Sequence, residues 1–142
     1  MDGLMLDMFK DVSDRGIDKA QVLKALRALS CWYGGQLIYI PQRQENSKAF
    51  DEMYGVIADE IGDADAQRIC DTISALYGGA QWYVPLEKNA FREVIAQEVL
   101  ASYDGRLETM RDLCRKYGCS FSWIYKLYHE ALSKKSQLEF IF

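Results

Sequence analysis

The sequence predicts a mainly α-helical protein with a small two-stranded antiparallel β element and a C-terminal helix-turn-helix. Apolar residues recur at three- and four-residue steps along most of the 142 residues, which is the period of a helix. The pattern Tyr-Gly-Gly, three residues, Tyr-x-Pro occurs twice, at residues 33–41 and 77–85. Near the C-terminus, Gly118 separates two further stretches of helical spacing. The repeat predicts the β element, and the glycine predicts the turn between the last helices.

Each copy of the repeat predicts a helix, a tight corner, a short strand and a stop. Paired glycines end a helix by supplying a left-handed cap, and the five residues that follow are rich in strand formers. Proline then ends the strand, because it has no N–H to donate. A strand of about five residues is not stable alone, so we expect the two copies to pair, within one chain or across a dimer. The residues assigned to these turns are Gly34, Gly35, Pro41, Gly78, Gly79 and Pro85.

The elements of the first copy follow from spacing and caps. A helix is predicted over residues 1–12, and a second begins at Asp18, whose carboxylate can cap it while Gln21 stands three residues on. That helix ends at the first glycine pair. The first strand spans residues 36–40, a polar loop spans 41–46, and another helix spans 47–61.

The second copy repeats this order 44 residues later. Its first helix carries Ile69, Ile73 and Leu76 at helical steps and ends at the second glycine pair. A strand at 80–84 and a helix from about 88 to 103 follow, and Asp104-Gly105 is a strong turn. We interpret the two copies as an ancestral duplication of helix, strand and helix.

The C-terminal helix-turn-helix is predicted from its caps and its turn. Thr109 and Asp112 have the form of a capping box, which predicts the start of a short helix. Gly118 permits a left-handed turn, and Ser120 can cap the next helix. Two helices that cross steeply need a small residue at their closest approach, a glycine in the turn and apolar anchors. The small residue and the anchors are Cys114, Leu113, Ile124 and Leu127.

The outward face of this motif is a candidate DNA-binding surface, because the second helix of such a motif enters the major groove. The candidate base-edge residues are Ser120, Phe121, Ser122, Trp123, Lys126 and His129. The candidate phosphate contacts are Arg111, Arg115 and Lys116. Helical hairpins with a glycine turn also occur in proteins that bind no nucleic acid, so simple packing remains the alternative.

Charge is unevenly distributed along the chain. The net charge of −4 argues against an extended basic surface for non-specific nucleic-acid binding. Residues 104–135 nevertheless carry seven basic and four acidic side chains, a local charge of +3, which leaves −7 for the rest of the chain. We therefore expect a basic surface near the C-terminus of an otherwise acidic protein.

Several classes of protein are disfavoured by the sequence. Cys31, Cys70, Cys114 and Cys119 lack zinc-ligand spacing, and the single histidine, His129, has no partner close in sequence. The acidic residues are scattered, and no nucleophile or phosphate-binding glycine loop is present, so we expect no enzyme, no cofactor and no metal ion. No apolar run reaches the ~18 residues of a membrane span, and the N-terminus lacks the basic region of a signal peptide. The expectation is a cytoplasmic protein with reduced thiols and no membrane contact.

A series of motifs runs from about Ala66 to Lys135. They are a helix ending in Gly-Gly, the strand end 83–85, the turn Gly105-Arg106, Leu-x-x-x-Tyr-Gly at 113–118 and Ser-Phe-x-x-Ile-Tyr-Lys at 120–126. In order and spacing this series resembles the Mor family of transcription activators, which includes the C proteins of transposable phages. The resemblance implies a homodimer formed through the helix and strand region, duplex DNA bound by the C-terminal helix-turn-helix, and activation together with RNA polymerase.

Three features differ from the family pattern. The family's recognition helix is strongly basic toward its end, whereas residues 129–133 carry little charge. The family has one Gly-Gly strand unit per chain, whereas this chain has two. About two extra residues follow Gly105-Arg106.

Three regions are expected along the chain. Residues 1–86 form a duplicated helix and strand domain of the dimerisation type, 87–135 form the helix-turn-helix DNA-binding domain, and 136–142 form an apolar tail. The predicted function is sequence-specific DNA binding by a transcription regulator. The alternative is a non-enzymatic protein interaction module that kept the fold and lost DNA binding. The acidic N-terminal portion, the aromatic residues Phe121 and Trp123, and the tail favour this alternative.

Overall fold

Eight helices and two strands make up the part of the chain that the computed structural model describes, residues 3–42 and 47–141. They are α1 (Gly3–Ser13), α2 (Lys19–Tyr33), β1 (Leu37–Tyr39), α3 (Lys48–Ile61), α4 (Asp63–Tyr77), β2 (Gln81–Tyr83), α5 (Glu87–Ala90), α6 (Arg92–Ser102), α7 (Leu107–Tyr117) and α8 (Phe121–Ile141). The strands pair antiparallel. The prediction of a mainly helical fold with one small antiparallel β element is confirmed.

Helices α2 and α3 begin where side chains accept free N–H groups. Asp18 Oδ1 accepts from the Ala20 N–H at 3.3 Å at the start of α2, as predicted. Ser47 Oγ accepts from the Phe50 N–H at 3.2 Å at the start of α3. Gln21 does not complete a capping box, because its amide donates to Asp65 Oδ2 on α4 at 3.1 Å. The side chain that the sequence assigns to a local cap is therefore used to join two helices.

The two strands are related by a local two-fold pattern. Ile38 pairs with Trp82 at the centre, and Leu37 and Tyr39 pair with Tyr83 and Gln81 on either side. If 44 is added to each residue number of β1 and subtracted from each residue number of β2, the same three pairs result with the strands exchanged. The flanking hydrogen bonds obey the same exchange: the Gly35 N–H donates to the Val84 carbonyl and the Gly79 N–H to the Ile40 carbonyl, both at 2.8 Å. The predicted antiparallel pairing is confirmed, it lies within one chain, and each strand has three residues rather than five.

The two glycines of each corner have different roles. Gly35 and Gly79 have φ of 81° and 87°, the left-handed region that glycine enters without strain. Gly34 has an ordinary φ of −52°, but a Cβ there would lie 2.3 Å from the Ser30 carbonyl oxygen. Gly78 repeats this arrangement with the Ser74 carbonyl oxygen at 2.4 Å. Only the second glycine of each pair therefore supplies the left-handed cap. The first must be glycine because a Cβ there would overlap a backbone carbonyl oxygen.

The described residues form two compact units that divide between Ala90 and Phe91. In the first unit, α3 packs against α2 and α4, and α1 contacts the same two helices. In the second unit, α6 and α7 both pack against α8. The buried side chains of the first unit include Met5, Met8, Val12, Leu26, Leu29, Ile57, Ile69 and Ile73. Those of the second unit include Ile95, Val99, Met110, Leu113, Ile124 and Leu127.

The C-terminal elements differ from the sequence prediction at two boundaries. The helix expected over residues 88–103 is interrupted at Phe91, so that α5 and α6 are separate helices. The next helix begins at Leu107, two residues before the predicted threonine cap. Beyond residue 135, α8 continues to Ile141, and the side chains of the predicted apolar tail at 138–142 lie outside the described residues.

Candidate nucleic-acid interface

The turn between α7 and α8 is built from one glycine and one cap. Gly118 has φ 62° and ψ 36°, and the Cys119 N–H donates to the Cys114 carbonyl at 3.1 Å. Ser120 Oγ accepts from the Trp123 N–H at 3.2 Å, which starts α8. The predicted glycine turn and serine cap are both confirmed. Together they fix the direction in which α8 leaves α7.

The start of α7 corrects the predicted capping box. The residue before the helix is Arg106, which makes no side-chain cap, and Asp104 Oδ1 accepts from the Arg106 N–H at 3.0 Å. This hydrogen bond from the Arg106 backbone, and another from the Thr109 hydroxyl, stabilise the Asp104 carboxylate and lower the pKa of Asp104. Thr109 therefore donates to an aspartate that precedes the helix. The sequence predicts a capping box at Thr109 and Asp112, but the helix begins earlier, directly after the turn at Asp104 and Gly105.

One face of α8 is buried, and the opposite face is exposed. Ile124, Leu127 and Ala131 are at most 2% exposed and form the buried stripe at helical steps. On the far side of the helix, Ser122, Lys126 and His129 are exposed. The structure thus brings three of the six candidate base-edge residues to the centre of one outward face.

Helix α6 braces both helices of the motif. The Arg92 guanidinium on α6 donates to both carboxylate oxygens of Glu130 on α8, at 2.8 and 3.0 Å. The Tyr117 hydroxyl at the end of α7 donates to Glu98 on α6 at 2.5 Å. These two contacts hold α7 and α8 against a common support, which limits the movement of α8 relative to α7.

The Arg92 contacts also determine the roles of Trp123 and Glu130. The Arg92 guanidinium lies 5.7 Å from the centre of the Trp123 ring, and Trp123 is only half-buried. Trp123 therefore turns toward α6 and away from the outward face of α8. Glu130 places a negative charge on α8, the helix expected to enter the major groove. Its pairing with Arg92 compensates that charge.

An aromatic ladder follows the outward face of α8. Phe121 stacks on Tyr125 with ring centres 5.9 Å apart, and Tyr125 meets His129 edge-on at 4.4 Å. Phe121 and Tyr125 are 50% and 43% exposed. The sequence prediction missed Tyr125, although it stands four residues after Phe121 and four before His129, the spacing of neighbours on a helix. It also missed Arg92, which only tertiary packing brings to the motif.

The basic side chains of α7 are exposed and lie close to acidic ones. Arg111 and Arg115 are four residues apart and share the outward face of this helix. Arg115 Nη1 lies 4.0 Å from Asp112 Oδ1, and both side chains are more than three-quarters exposed. Such an exposed pair contributes about 0–1 kcal/mol, so a phosphate can displace it. Lys116 lies apart from this face, with its Nζ 5.3 Å from the centre of the Tyr117 ring.

Comparison with known protein families gives a match over the C-terminal two thirds of the chain. The model of the Mor transcription activator family matches residues 44–138, more than half of the chain. The chain belongs to the Mor transcription activator family. The match includes the second Gly-Gly strand unit and the helices α6 and α7, and it leaves the first unit at 33–41 outside. Comparisons with curated proteins and with solved structures gave no match.

Among the described residues, no group of three or more histidine, cysteine, aspartate or glutamate side chains is placed to hold a metal ion. Within residues 3–42 and 47–141, no helix is long and apolar enough to cross a membrane.

Proposed function

We propose that this member of the Mor family is a sequence-specific transcription activator that binds duplex DNA through α7, the Gly118 turn and α8, and acts with RNA polymerase. The observation that carries the proposal is the outward face of α8. It presents Ser122, Lys126 and His129 opposite a fully buried stripe, on a helix whose direction is fixed by its cap and by α6.

Each part of the motif has a chemical role in this proposal. Lys126 and Ser122 can reach base edges in the major groove, and Phe121 and Tyr125 can contact thymine methyl groups. Arg111 and Arg115 on α7 can meet phosphates and set the register of α8 along the duplex. The pairing of Glu130 with Arg92 removes the repulsion that an unpaired carboxylate would give near the backbone.

Substitutions on the two helices should weaken DNA binding in different ways. Arg115→Ala should weaken binding to all duplexes alike and reduce the slope of log affinity against log salt by about one unit. Lys126→Ala should cost about 1–3 kcal/mol on the preferred duplex and little on a scrambled one. Fluorescence anisotropy over a salt series, with a duplex selected from a random library, measures both.

Lys24→Ala is the matched control, because Lys24 is an exposed lysine on α2, outside the motif. It should leave both affinities unchanged. The DNA-binding proposal would be abandoned if the native protein bound no duplex at about 50 mM salt, where phosphate contacts are strongest. Activation with RNA polymerase is tested separately, by transcription in vitro from a template carrying the selected site.

A homodimer is part of this proposal. Helix-turn-helix proteins gain affinity by placing two recognition helices about one DNA turn apart, roughly 34 Å. The strands β1 and β2 already pair within one chain, so the dimer interface is expected on other surfaces. Light scattering at micromolar concentration should give twice the chain mass of 16.3 kDa. A mass of one chain would contradict the dimer.

A protein interaction module is the second candidate function. It is favoured by Phe121, Tyr125 and Leu132, which are 50%, 43% and 37% exposed and follow one face of α8. This function would be supported if the native chain bound no DNA but bound a partner protein, and if the Tyr125→Ser variant no longer bound that partner. Retention of the partner by that variant would contradict it.

A further inference from the structure

The first unit contains an apolar pocket that the DNA-binding proposal does not use. It has a volume of about 170 Å³, and it lies where α2, β1, α3 and α4 meet β2. Its apolar floor includes Leu29, Ile38, Met53, Ile73 and Trp82. This volume lies below the range of about 300–1,000 Å³ of drug-sized ligand sites, so its occupant must be a small molecule.

One hydrogen-bonded pair, between half-buried Tyr33 and exposed Glu52, stands in this mostly apolar lining. The Tyr33 hydroxyl on α2 donates to Glu52 Oε1 on α3 at 2.7 Å, and both residues line the pocket. Burial, and then the Glu52 carboxylate, raise the pKa of Tyr33, so its hydroxyl stays protonated and keeps donating at neutral pH. The carboxylate has further lone pairs that can accept from a ligand.

The charge of the lining is one-sided. Glu52 is the one charged side chain among the described residues that line the pocket, and no lysine or arginine stands beside it there. A carboxylate next to an apolar space attracts a cation or an N–H donor and repels an anion. The rings of Tyr33, Tyr39 and Trp82 supply aromatic faces, which also favour cations and flat rings.

We propose that this pocket binds a small aromatic amine, with the ring system against Ile38, Ile73 and Trp82 and the ammonium group at Glu52. The proposal goes beyond DNA binding and does not depend on it. Ile38 and Trp82 form the central pair of the β element, so a bound ligand would contact the point about which the two strands are related. Binding to the folded chain alone would stabilise it by RT ln(1 + [L]/Kd), where [L] is the ligand concentration.

The experiment compares three indole compounds that share a two-carbon chain at ring position 3 and differ in the group at its end, and so in charge. Tryptamine is the cationic probe, 3-ethylindole the neutral one and indole-3-propionate the anionic one. Saturation-transfer NMR and calorimetry on the full chain, in the absence of DNA, should give saturable binding of tryptamine. The affinity for tryptamine should exceed that for 3-ethylindole by about fivefold. This is the gain in affinity expected from a charge-assisted hydrogen bond that solvent partly screens. Indole-3-propionate should bind weakest of the three.

Two substitutions locate the site. Ala49→Trp should fill the pocket and abolish tryptamine binding, and Ala64→Trp is its control, because both alanines are exposed second residues of their helices. Glu52→Gln should reduce the fivefold preference for tryptamine over 3-ethylindole to about one, whereas Glu60→Gln, an exposed glutamate farther along α3, should leave it unchanged. If Ala49→Trp fails to fold, the comparison of Glu52→Gln with Glu60→Gln still tests the proposal.

Several results would overturn the proposal. They are the absence of saturable binding of tryptamine at millimolar concentration, binding that survives Ala49→Trp in a folded chain, and a preference for tryptamine that survives Glu52→Gln. Because no DNA is present, failure here leaves the DNA-binding proposal standing, and failure of DNA binding leaves this one standing.

Discussion

Trp82→Ala is expected to lower the free energy of unfolding by about 3–5 kcal/mol, the range for removing a buried tryptophan. Trp82 is 5% exposed and sits at the centre of β2, opposite Ile38. It also contributes to the apolar floor beside Leu29 and Ile73. Its loss leaves a cavity between the β element and the helices, and three-residue strands have little else to hold them there. Urea denaturation followed by circular dichroism measures the change.

Trp32→Ala is the matched control for this prediction. Trp32 is a tryptophan of the same unit, on α2, but it is 62% exposed. Its replacement should change the free energy of unfolding by no more than about 0.5 kcal/mol. If the two variants were equally stable, the β element would not be anchored through Trp82 as the structure indicates.

Gly34→Ala is expected to lower the free energy of unfolding by about 2–3 kcal/mol, since overpacking against fixed atoms costs about 1–3 kcal/mol or more. The new Cβ would lie 2.3 Å from the Ser30 carbonyl oxygen and 3.3 Å from the Leu86 Cα. Both are backbone atoms, so no side chain can rotate to relieve the overlap. The Ser30 carbonyl also accepts the Gly34 N–H at 2.9 Å, so moving it opens the end of α2. Thermal and urea denaturation measure the effect.

Gly55→Ala should have the opposite sign. Gly55 lies inside α3, and a Cβ there meets no atom within 4 Å. Alanine in a helix interior is about 1 kcal/mol more favourable than glycine, so this variant should be more stable than the native chain by up to that amount. Destabilisation by both substitutions to a similar extent would show that the contact at Ser30 is not the cause.

The repeat and the turns could be predicted because their causes lie close in sequence. A glycine pair, a proline and a run of strand formers act within a few residues, so the positions of β1, β2 and the Gly118 turn followed from the residues themselves. The caps at Asp18 and Ser120 were predicted for the same reason. The cap at Thr109 was wrong because Asp104 and Gly105 begin the turn earlier, and two local signals competed within six residues.

The sequence alone determined the helical class, the paired strands, the glycine turn and the resemblance to the Mor family, because period, caps and motif spacing are properties of neighbouring residues. The tertiary structure decided that the strands pair within one chain, with a register that the 44-residue repeat exchanges. It also decided that Arg92 pairs with Glu130, 38 residues away, and that Tyr33 and Glu52 meet across an apolar pocket. These contacts join residues far apart along the chain, and only the packing of apolar faces brings such residues together.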